Sequence, residues 1–335
     1  MPEDLQGEPM PDDLNETVIE FPDNRLLIDL CGQFDRNLAQ LEQGFGVAIT
    51  RRGNILTVHG PADAREPAMG ALTAMYERLE DGRDVEPADI DALIRMGAIQ
   101  EEATPAEHQL DMFPGGRLEI RTRKKLIEPR SQTQAQYVAE LYKRSMVFGI
   151  GPAGTGKTYL AVAAAVAMFL DGRVDRIVLS RPAVEAGERL GFLPGTEKDK
   201  MDPYMRPLYD ALHDMLPGKQ VAKLMEEGKI EIAPLAFMRG RTLSNAFVVL
   251  DEAQNTTEMQ MKMFLTRMGE GAHMAITGDP SQIDLPRGTS SGMVQAVRLL
   301  EGIKDIGFVR FSAADVVRHP LVAKIVQAYD RDSSA

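Results

Sequence analysis

Residues 151–158 read G-P-A-G-T-G-K-T, and this glycine-rich stretch decides the fold of the chain. It satisfies every fixed position of the phosphate-binding pattern G-x-x-x-x-G-K-[ST]. An apolar run at 145–150 precedes it and an alanine-rich apolar run at 159–170 follows it, which predicts a buried strand, a loop and a helix. In that order of elements, backbone N–H groups and a helix N-terminus face a bound anion. The stretch therefore predicts a nucleotide site in an α/β domain built on a parallel sheet.

Every residue of this loop is a candidate for nucleotide binding. The glycines permit backbone conformations and a close approach of phosphate that a Cβ would hinder. Lys157 is expected to reach the β- and γ-phosphates, and the Thr158 hydroxyl is expected to ligate Mg²⁺. The predicted nucleotide-binding residues of the loop are Gly151, Pro152, Ala153, Gly154, Thr155, Gly156, Lys157 and Thr158.

Two adjacent carboxylates follow a second apolar run, at 246–250. Because ligands bind at the carboxyl ends of parallel strands, Asp251 and Glu252 are expected to face the phosphate loop. Asp251 is the second predicted metal residue, with Thr158 as the first. Glu252 is suited to orient and deprotonate an attacking water. These residues predict hydrolysis of a nucleotide, with Lys157 and Glu252 as catalytic residues.

Other polar residues are predicted to act at the same edge of the sheet. In G-D-P-S-Q, Gln282 is expected to sense the γ-phosphate and couple hydrolysis to movement, whereas Asp279 orients the loop. Arg181, at the end of a predicted strand, is open to two interpretations, which are a contact to phosphate or nucleic acid and a structural ion pair. Arg318 is the first candidate for an arginine that acts on the developing charge, and Arg287 is the second.

Two residues upstream of the first core strand are candidates for binding the base. A glutamine at Gln134 can pair with the adenine edge while the Tyr137 ring stacks on the base. The sequence N-K-x-D, which GTPases use to read guanine, is absent from the chain. We therefore expect ATP, with Mg²⁺, as the ligand.

Charge is distributed unevenly along the chain. Residues 1–115 hold eight basic and 24 acidic residues, whereas residues 116–335 hold 30 basic and 26 acidic ones, and the net charge is −12. Overall acidity does not exclude nucleic acid, because a binding surface is local. Six basic residues in 117–130 fit either a solvated face or a nucleic-acid contact.

The chain also carries signals about its compartment. A single cysteine, Cys31, excludes an intramolecular disulfide framework. There is no run of about eighteen apolar residues, so a membrane span is not expected. The acidic N-terminus is unlike a secretory signal. We therefore expect a cytoplasmic protein.

The composition and pattern predict four segments. Residues 1–16 are expected to be a disordered acidic leader, 17–82 a small α/β domain, 83–116 a linker with one short helix near 87–96, and 117–335 the nucleotide-binding domain.

In the small domain we predict strands at 17–21 and 26–30, a helix at 35–43 that ends at Gly44, a hairpin of 47–50 with 55–59, and a helix at 63–79.

The order of elements in the small domain resembles a KH-like RNA-binding fold. A KH domain clamps the nucleic-acid backbone with a GXXG loop. The equivalent stretch here reads Gly32-Gln-Phe-Asp35, which lacks the second glycine. RNA binding by this domain and a role in oligomerisation or partner docking therefore both remain open.

The motifs together resemble the PhoH family, in its shorter form without a PIN nuclease domain. The motifs that carry this resemblance, in chain order, are Gln134, G-P-A-G-T-G-K-T, S-R-P-A-V, D-E-A-Q, G-D-P-S-Q and V-V-R-H-P. The resemblance implies a RecA-like P-loop NTPase core and ATP hydrolysis with Mg²⁺. More loosely, it implies RNA metabolism and a partnership with YbeY-type endoribonucleases in ribosomal RNA maturation.

One RecA-like core is expected in residues 145–330, whereas a monomeric helicase needs two. The second wall of the site is then expected from a neighbouring subunit in a homo-oligomeric, hexameric ring, or from a partner. An RNA helicase or remodelling motor is the main prediction. An ATP-gated scaffold that docks a nuclease or ribosomal partner is the alternative, and a small-molecule kinase is a weaker one.

Overall fold

A computed structural model describes residues 16–97, 118–182 and 197–316. Of the leader predicted at 1–16, residues 1–15 lie outside these ranges, whereas Glu16 begins a strand. The candidate arginine Arg318 also lies outside them. The chain divides into two compact units, residues 1–106 and 107–335. None of the helices within the described ranges is both long enough and apolar enough to cross a membrane.

The first unit is a three-stranded antiparallel sheet packed against helices. The strand order is β1-β3-β2. Its buried core includes Leu27, Leu41, Leu56 and Leu72. The elements are β1 (Glu16–Glu20), α1 (Asn24–Cys31), α2 (Arg36–Phe45), β2 (Ala48–Arg52), β3 (Ile55–His59), α3 (Ala62–Glu80) and α4 (Pro87–Gly97).

Residues 26–30, predicted as a strand, belong to helix α1 instead. The Asp23 side chain accepts a hydrogen bond from the Arg25 N–H (2.8 Å) and caps the first turn. Leu27, Leu30 and Cys31 are buried, at a helical and not an alternating spacing. A short apolar run does not distinguish the two structures, whereas an aspartate before it favours a helix.

Two other boundaries in this unit differ from the prediction. Helix α2 continues through Gly44 and ends at Gly46, which is left-handed (φ 69°) and therefore takes the capping position. Helix α4, predicted within a linker, belongs to the core of the first unit. Its Ile90 is fully buried, and its Asp89 carboxylate lies 3.2 Å from the Arg78 guanidinium.

The second unit is built on a six-stranded sheet in which every strand pair is parallel. The strand order is β11-β6-β10-β9-β7-β8, preceded by the two-stranded ribbon of β4 and β5. The elements are β4 (Ile120–Arg121), β5 (Leu126–Ile127), α5 (Gln132–Lys143), β6 (Met146–Ile150), α6 (Lys157–Leu170), β7 (Arg176–Arg181), α7 (Glu197–Met215), α8 (Gly218–Glu226), β8 (Ile230–Pro234), β9 (Ala246–Leu250), α9 (Glu258–Leu265), β10 (His273–Gly278), α10 (Gly292–Leu300) and β11 (Ile306–Arg310).

Helices cover both faces of this sheet. Residues of α5 to α8 form the core on one face, and residues of α9 and α10 form the core on the other. Helix α6 is central, and its alanines at 163–165 are fully buried. Because alanine side chains are small, the helix can lie close to the sheet. The connections are those predicted, because α6 follows the glycine-rich loop that ends β6. The fold class is therefore confirmed as α/β, a P-loop core on a parallel sheet with β10 between the strand of the phosphate loop and the strand of Asp251.

A buried carboxylate joins the end of the described chain to α5. Asp315 Oδ1 accepts a hydrogen bond from Ser131 Oγ (2.7 Å), and its Oδ2 accepts one from the Ser312 N–H (2.8 Å). Burial raises the pKa of Asp315, but these hydrogen bonds outweigh burial and the net pKa is below its ordinary value. Ser131 also caps α5 by accepting from the Gln134 N–H.

We expect Asp315→Ala to lower the free energy of unfolding by about 1–3 kcal/mol, because buried donors lose a charged acceptor. A carboxylate whose pKa is lowered by folding stabilises the protein above its ordinary pKa of 3.8. That contribution disappears as the pH falls through the lowered pKa. Urea denaturation at pH 7 and at pH values below 3.8 should therefore show the difference in unfolding free energy between the two proteins shrinking as the pH falls. Asp305→Ala, at an exposed position, is the control.

Candidate active site

The phosphate loop joins β6 to α6 through left-handed glycines. Gly154 (φ 83°) and Gly156 (φ 82°) adopt a conformation that residues with a Cβ rarely take, and Gly156 is the N-cap of α6. The loop also lies against Phe311, the residue after β11. The approach is so close that a Cβ on Gly151 would overlap the Phe311 carbonyl oxygen. The loop geometry is therefore fixed by the backbone itself.

The Lys157 ammonium is held inside the loop. Its Nζ donates to the carbonyl oxygens of Gly151 and Pro152 (both 2.7 Å) and lies 3.3 Å from Thr155 Oγ1. The residue is only 7% exposed. The ammonium therefore lies inside the phosphate loop, and its contact with the β- and γ-phosphates stays a prediction.

The two predicted metal residues are in contact. Thr158 Oγ1 donates to Asp251 Oδ1 (2.6 Å), and Thr277 Oγ1 donates to the same oxygen (3.0 Å). Burial raises the pKa of Asp251, and the hydrogen bond from Thr158 opposes that shift. A hydroxyl and a carboxylate are the hard oxygen donors that Mg²⁺ prefers. Thr158 and Asp251 would therefore hold the ion, and the donor set fits it.

Glu252 is bound by a donor at each carboxylate oxygen. Arg181 Nη2 lies 2.7 Å from Oε1, and Gln254 Nε2 lies 2.6 Å from Oε2. The Glu252 backbone is left-handed (φ 51°), an uncommon conformation for a residue with a Cβ. Arg181 thus forms an ion pair, which was one of its two predicted interpretations.

Gln254 connects Glu252 to the turn after β10. It is fully buried, its Nε2 donates to the Gln282 carbonyl oxygen (3.1 Å), and its Oε1 accepts from the Asp279 N–H (3.1 Å). Asp279 Oδ2 in turn accepts from the Ala153 N–H (3.2 Å) of the phosphate loop. Asp279 therefore orients this turn as predicted. The sequence analysis missed the role of Gln254, which the fourth position of D-E-A-Q could have signalled.

The other predicted residues are either exposed or in contact with a helix of the second unit. The Gln282 side chain is exposed next to the site, so its γ-phosphate role stays a prediction. Arg287 is exposed. In the basic run, Lys124 Nζ donates to the His213 carbonyl oxygen (2.7 Å) and Lys125 pairs with Asp214 (2.6 Å), so both lysines contact α7.

Gln134 braces the phosphate loop. Its Nε2 donates to the Thr155 carbonyl oxygen (2.9 Å), and its Oε1 accepts from the Arg130 N–H (2.6 Å). The amide is 4% exposed and both of its ends bind backbone groups. Reading of the adenine edge by Gln134 remains a prediction, whereas its contact with the loop is a structural fact.

Tyr137 does not have the surface that base stacking requires. It is fully buried, with its ring packed against Gly149 and edge-on to Phe311 at a centroid distance of 5.4 Å. The sequence prediction is therefore wrong for this residue. Tyr137 lies on the apolar side of α5, which faces the hydrophobic core, and its ring therefore packs into that core.

We expect Tyr137→Phe to raise the free energy of unfolding by up to about 1–3 kcal/mol, because a buried hydroxyl without a partner is costly. No described residue hydrogen-bonds the Tyr137 hydroxyl. ATP affinity should not change. Thermal unfolding and nucleotide titration measure the two effects. A clear loss of ATP affinity would restore a role for this ring in base binding.

Comparisons with known proteins identify the family. The model of the PhoH-like protein family matches residues 126–330. The PhoH-like protein of Bacillus subtilis is 47% identical, covering 94% of this chain and 97% of its own length. The PhoH-like protein of Mycobacterium tuberculosis (strain H37Rv) is also 47% identical, covering 98% of this chain and 91% of its own length.

The UvsW helicase of bacteriophage T4 is similar in structure at 13% identity and a TM-score of 0.37, over 72% of this chain and 76% of that one. A match at this TM-score adds nothing to the fold described above. The sequence relatives, together with the phosphate loop and the paired carboxylates, settle the assignment: this chain belongs to the PhoH-like family and is a nucleotide-binding protein of the P-loop NTPase class.

Proposed function

We propose that this protein hydrolyses ATP with Mg²⁺ and uses the energy to remodel RNA. The observation that carries the hydrolysis is the cluster of Lys157, Thr158, Asp251 and Glu252. A cation, two oxygen donors for a metal and a second carboxylate meet at the carboxyl edge of one parallel sheet.

Each residue of the cluster has a part in the proposed reaction. Thr158 and Asp251 would hold Mg²⁺, which would neutralise charge on the phosphate oxygens. Lys157 binds the β- and γ-phosphates. Glu252 accepts a proton from water while the water oxygen bonds to the γ-phosphorus and the bond from that phosphorus to the bridging oxygen of ADP breaks. A carboxylate beside the metal residues favours water as the acceptor and argues against the kinase alternative.

The RNA part of the proposal has separate support. It comes from the resemblance of the motif order to PhoH-like proteins, and from the KH-like succession of β1, α1, α2, β2, β3 and α3 in the first unit. On that basis we propose a role in ribosomal RNA maturation with a YbeY-type endoribonuclease. The ATP-gated scaffold, which docks such a partner without unwinding RNA, remains the second candidate.

We also propose a homo-oligomeric ring. Among the described residues, Arg181 is the arginine in contact with the paired carboxylates, and its guanidinium is bound to Glu252. An arginine for the developing phosphate charge is then supplied by Arg318, by Arg287 or by a neighbouring subunit. A ring with heterologous interfaces places a second subunit beside each site.

The test is ATP hydrolysis by the purified protein with Mg²⁺, with and without structured RNA, with the oligomer mass measured under the same conditions. Turnover without an added phosphate acceptor, stimulated by RNA in an oligomer, is the expected result. An ATP hydrolysis rate that is the same with and without RNA would favour the ATP-gated scaffold. Absence of ATP turnover would overturn the proposal.

A further inference from the structure

Arg181 joins the Glu252 carboxylate to helix α7. It is the last residue of β7, and its Nη1 donates to the Tyr204 carbonyl oxygen on α7 (2.7 Å) while Nη2 contacts Glu252 (2.7 Å). The side chain is 19% exposed. A guanidinium is a planar fork of donors, so two contacts at its ends fix its orientation as well as its position.

The Gln254 amide holds the same carboxylate from the other side. With one donor on each oxygen, the plane of the Glu252 carboxylate is determined by its neighbours. An ionised carboxylate has about four acceptor sites, so these two contacts leave sites for a water molecule. The arrangement therefore orients the proposed base without occupying it completely.

The contact with Asp251 is weaker than the contact with Glu252. Arg181 Nε lies 3.8 Å from Asp251 Oδ2, beyond hydrogen-bond distance. Asp251 keeps the hydroxyls of Thr158 and Thr277 on its other oxygen, and neither involves the arginine. Loss of Arg181 would therefore disturb Glu252 first and leave the predicted metal residues in contact.

We propose that Arg181 is a positioning residue for the proposed ATP hydrolysis, acting through Glu252 by fixing its carboxylate relative to the phosphate loop. This inference rests on the proposed function. Because the same guanidinium donates a hydrogen bond to the Tyr204 carbonyl oxygen of α7, the position of that helix affects the position of Glu252. Misplacement of a catalytic group by about 1 Å costs on the order of 100-fold in rate.

The first test compares Arg181→Ala and Arg181→Lys with the wild-type protein in steady-state ATP hydrolysis. We expect Arg181→Ala to lower kcat by about 10- to 100-fold and to leave KM for ATP within about twofold. The lysine variant should fall between the two, because it keeps the charge and loses the fork. Arg176→Ala, at the opposite end of β7, is the matched control and should behave as the wild type.

The second test asks whether Arg181 acts through Glu252. In single-turnover measurements, the double variant with Arg181→Ala and Glu252→Gln should be no slower than Glu252→Gln alone. A merely structural role, or a direct contact with phosphate, would give additive losses and overturn the proposal. So would a raised KM, a raised kcat, or a changed Mg²⁺ requirement in Arg181→Ala.

The outcomes separate this inference from the proposed function. Wild-type turnover with an unaffected Arg181→Ala variant would overturn the role of Arg181 alone. No turnover by the wild-type protein would overturn both. Thermal unfolding shows whether Arg181→Ala folds. If it does not, Arg181→Lys replaces it in the steady-state comparison, and the double variant of Arg181→Lys with Glu252→Gln replaces it in the single-turnover comparison.

Discussion

The Glu252→Gln variant is expected to bind ATP like the wild-type protein and to hydrolyse it about 10²- to 10⁴-fold more slowly, because it lacks the base that takes the proton from water. The amide has nearly the shape of the carboxylate, so the fold around it should be kept. The measurement is the single-turnover rate of ATP cleavage, together with the dissociation constant of a fluorescent ATP analogue.

The two readouts separate chemistry from structure at Glu252. The control is Glu258→Gln, which makes the same change at an exposed position in the first turn of α9. If ATP binding and cleavage fall together in Glu252→Gln, the residue maintains the site and does not act as the base. A cleavage rate close to that of the wild type would also contradict the assigned role.

Lys157→Ala should weaken ATP binding by about 10- to 100-fold, since a hydrogen bond to a charged group contributes about 1.5–3 kcal/mol. The effect should appear in the dissociation constant before any turnover takes place. AMP, which lacks the β- and γ-phosphates, should lose much less affinity than ATP, because Lys157 is expected to bind those phosphates.

An exposed lysine gives the matched control for this loss. Lys143, in the last turn of α5, is exposed. Lys143→Ala therefore removes a lysine charge at a position outside the phosphate loop. Equal losses for ATP and AMP in Lys157→Ala would mean that the variant has disturbed the loop as a whole. Thermal unfolding of the variant would then show whether the loop still packs against α6.

The sequence predicted that residues of the phosphate loop lie close to the paired carboxylates, and the structure places Thr158 in contact with Asp251. Two adjacent pairs of residues, Lys157 with Thr158 and Asp251 with Glu252, lie 93 residues apart in the chain, counted from Thr158 to Asp251. Each pair belongs to a motif whose position in a parallel sheet follows from the end of its strand. The strand ends were predictable because the strands are short apolar runs between polar loops, which is the pattern of a sheet buried on both faces.

The rest of the site depends on contacts that a linear pattern does not contain. Tyr137 lies near the phosphate loop in sequence order, but the packing of α5 against β6 turns its ring into the core. The partner of Glu252 is Arg181, 71 residues earlier, and the pairing exists because β7 and β9 are neighbours in the sheet. Strand order determines such pairs, and no single motif encodes it.

The Gln254 amide has a direction as well as a position. Its nitrogen faces two acceptors, the Glu252 carboxylate and the Gln282 carbonyl oxygen, and its oxygen faces the Asp279 N–H. A glutamate of the same shape would oppose like charges, and a leucine would leave buried polar groups without partners. This position should therefore tolerate almost no substitution in a mutational scan. The turn after β10 also cannot rotate without turning the Glu252 carboxylate with it.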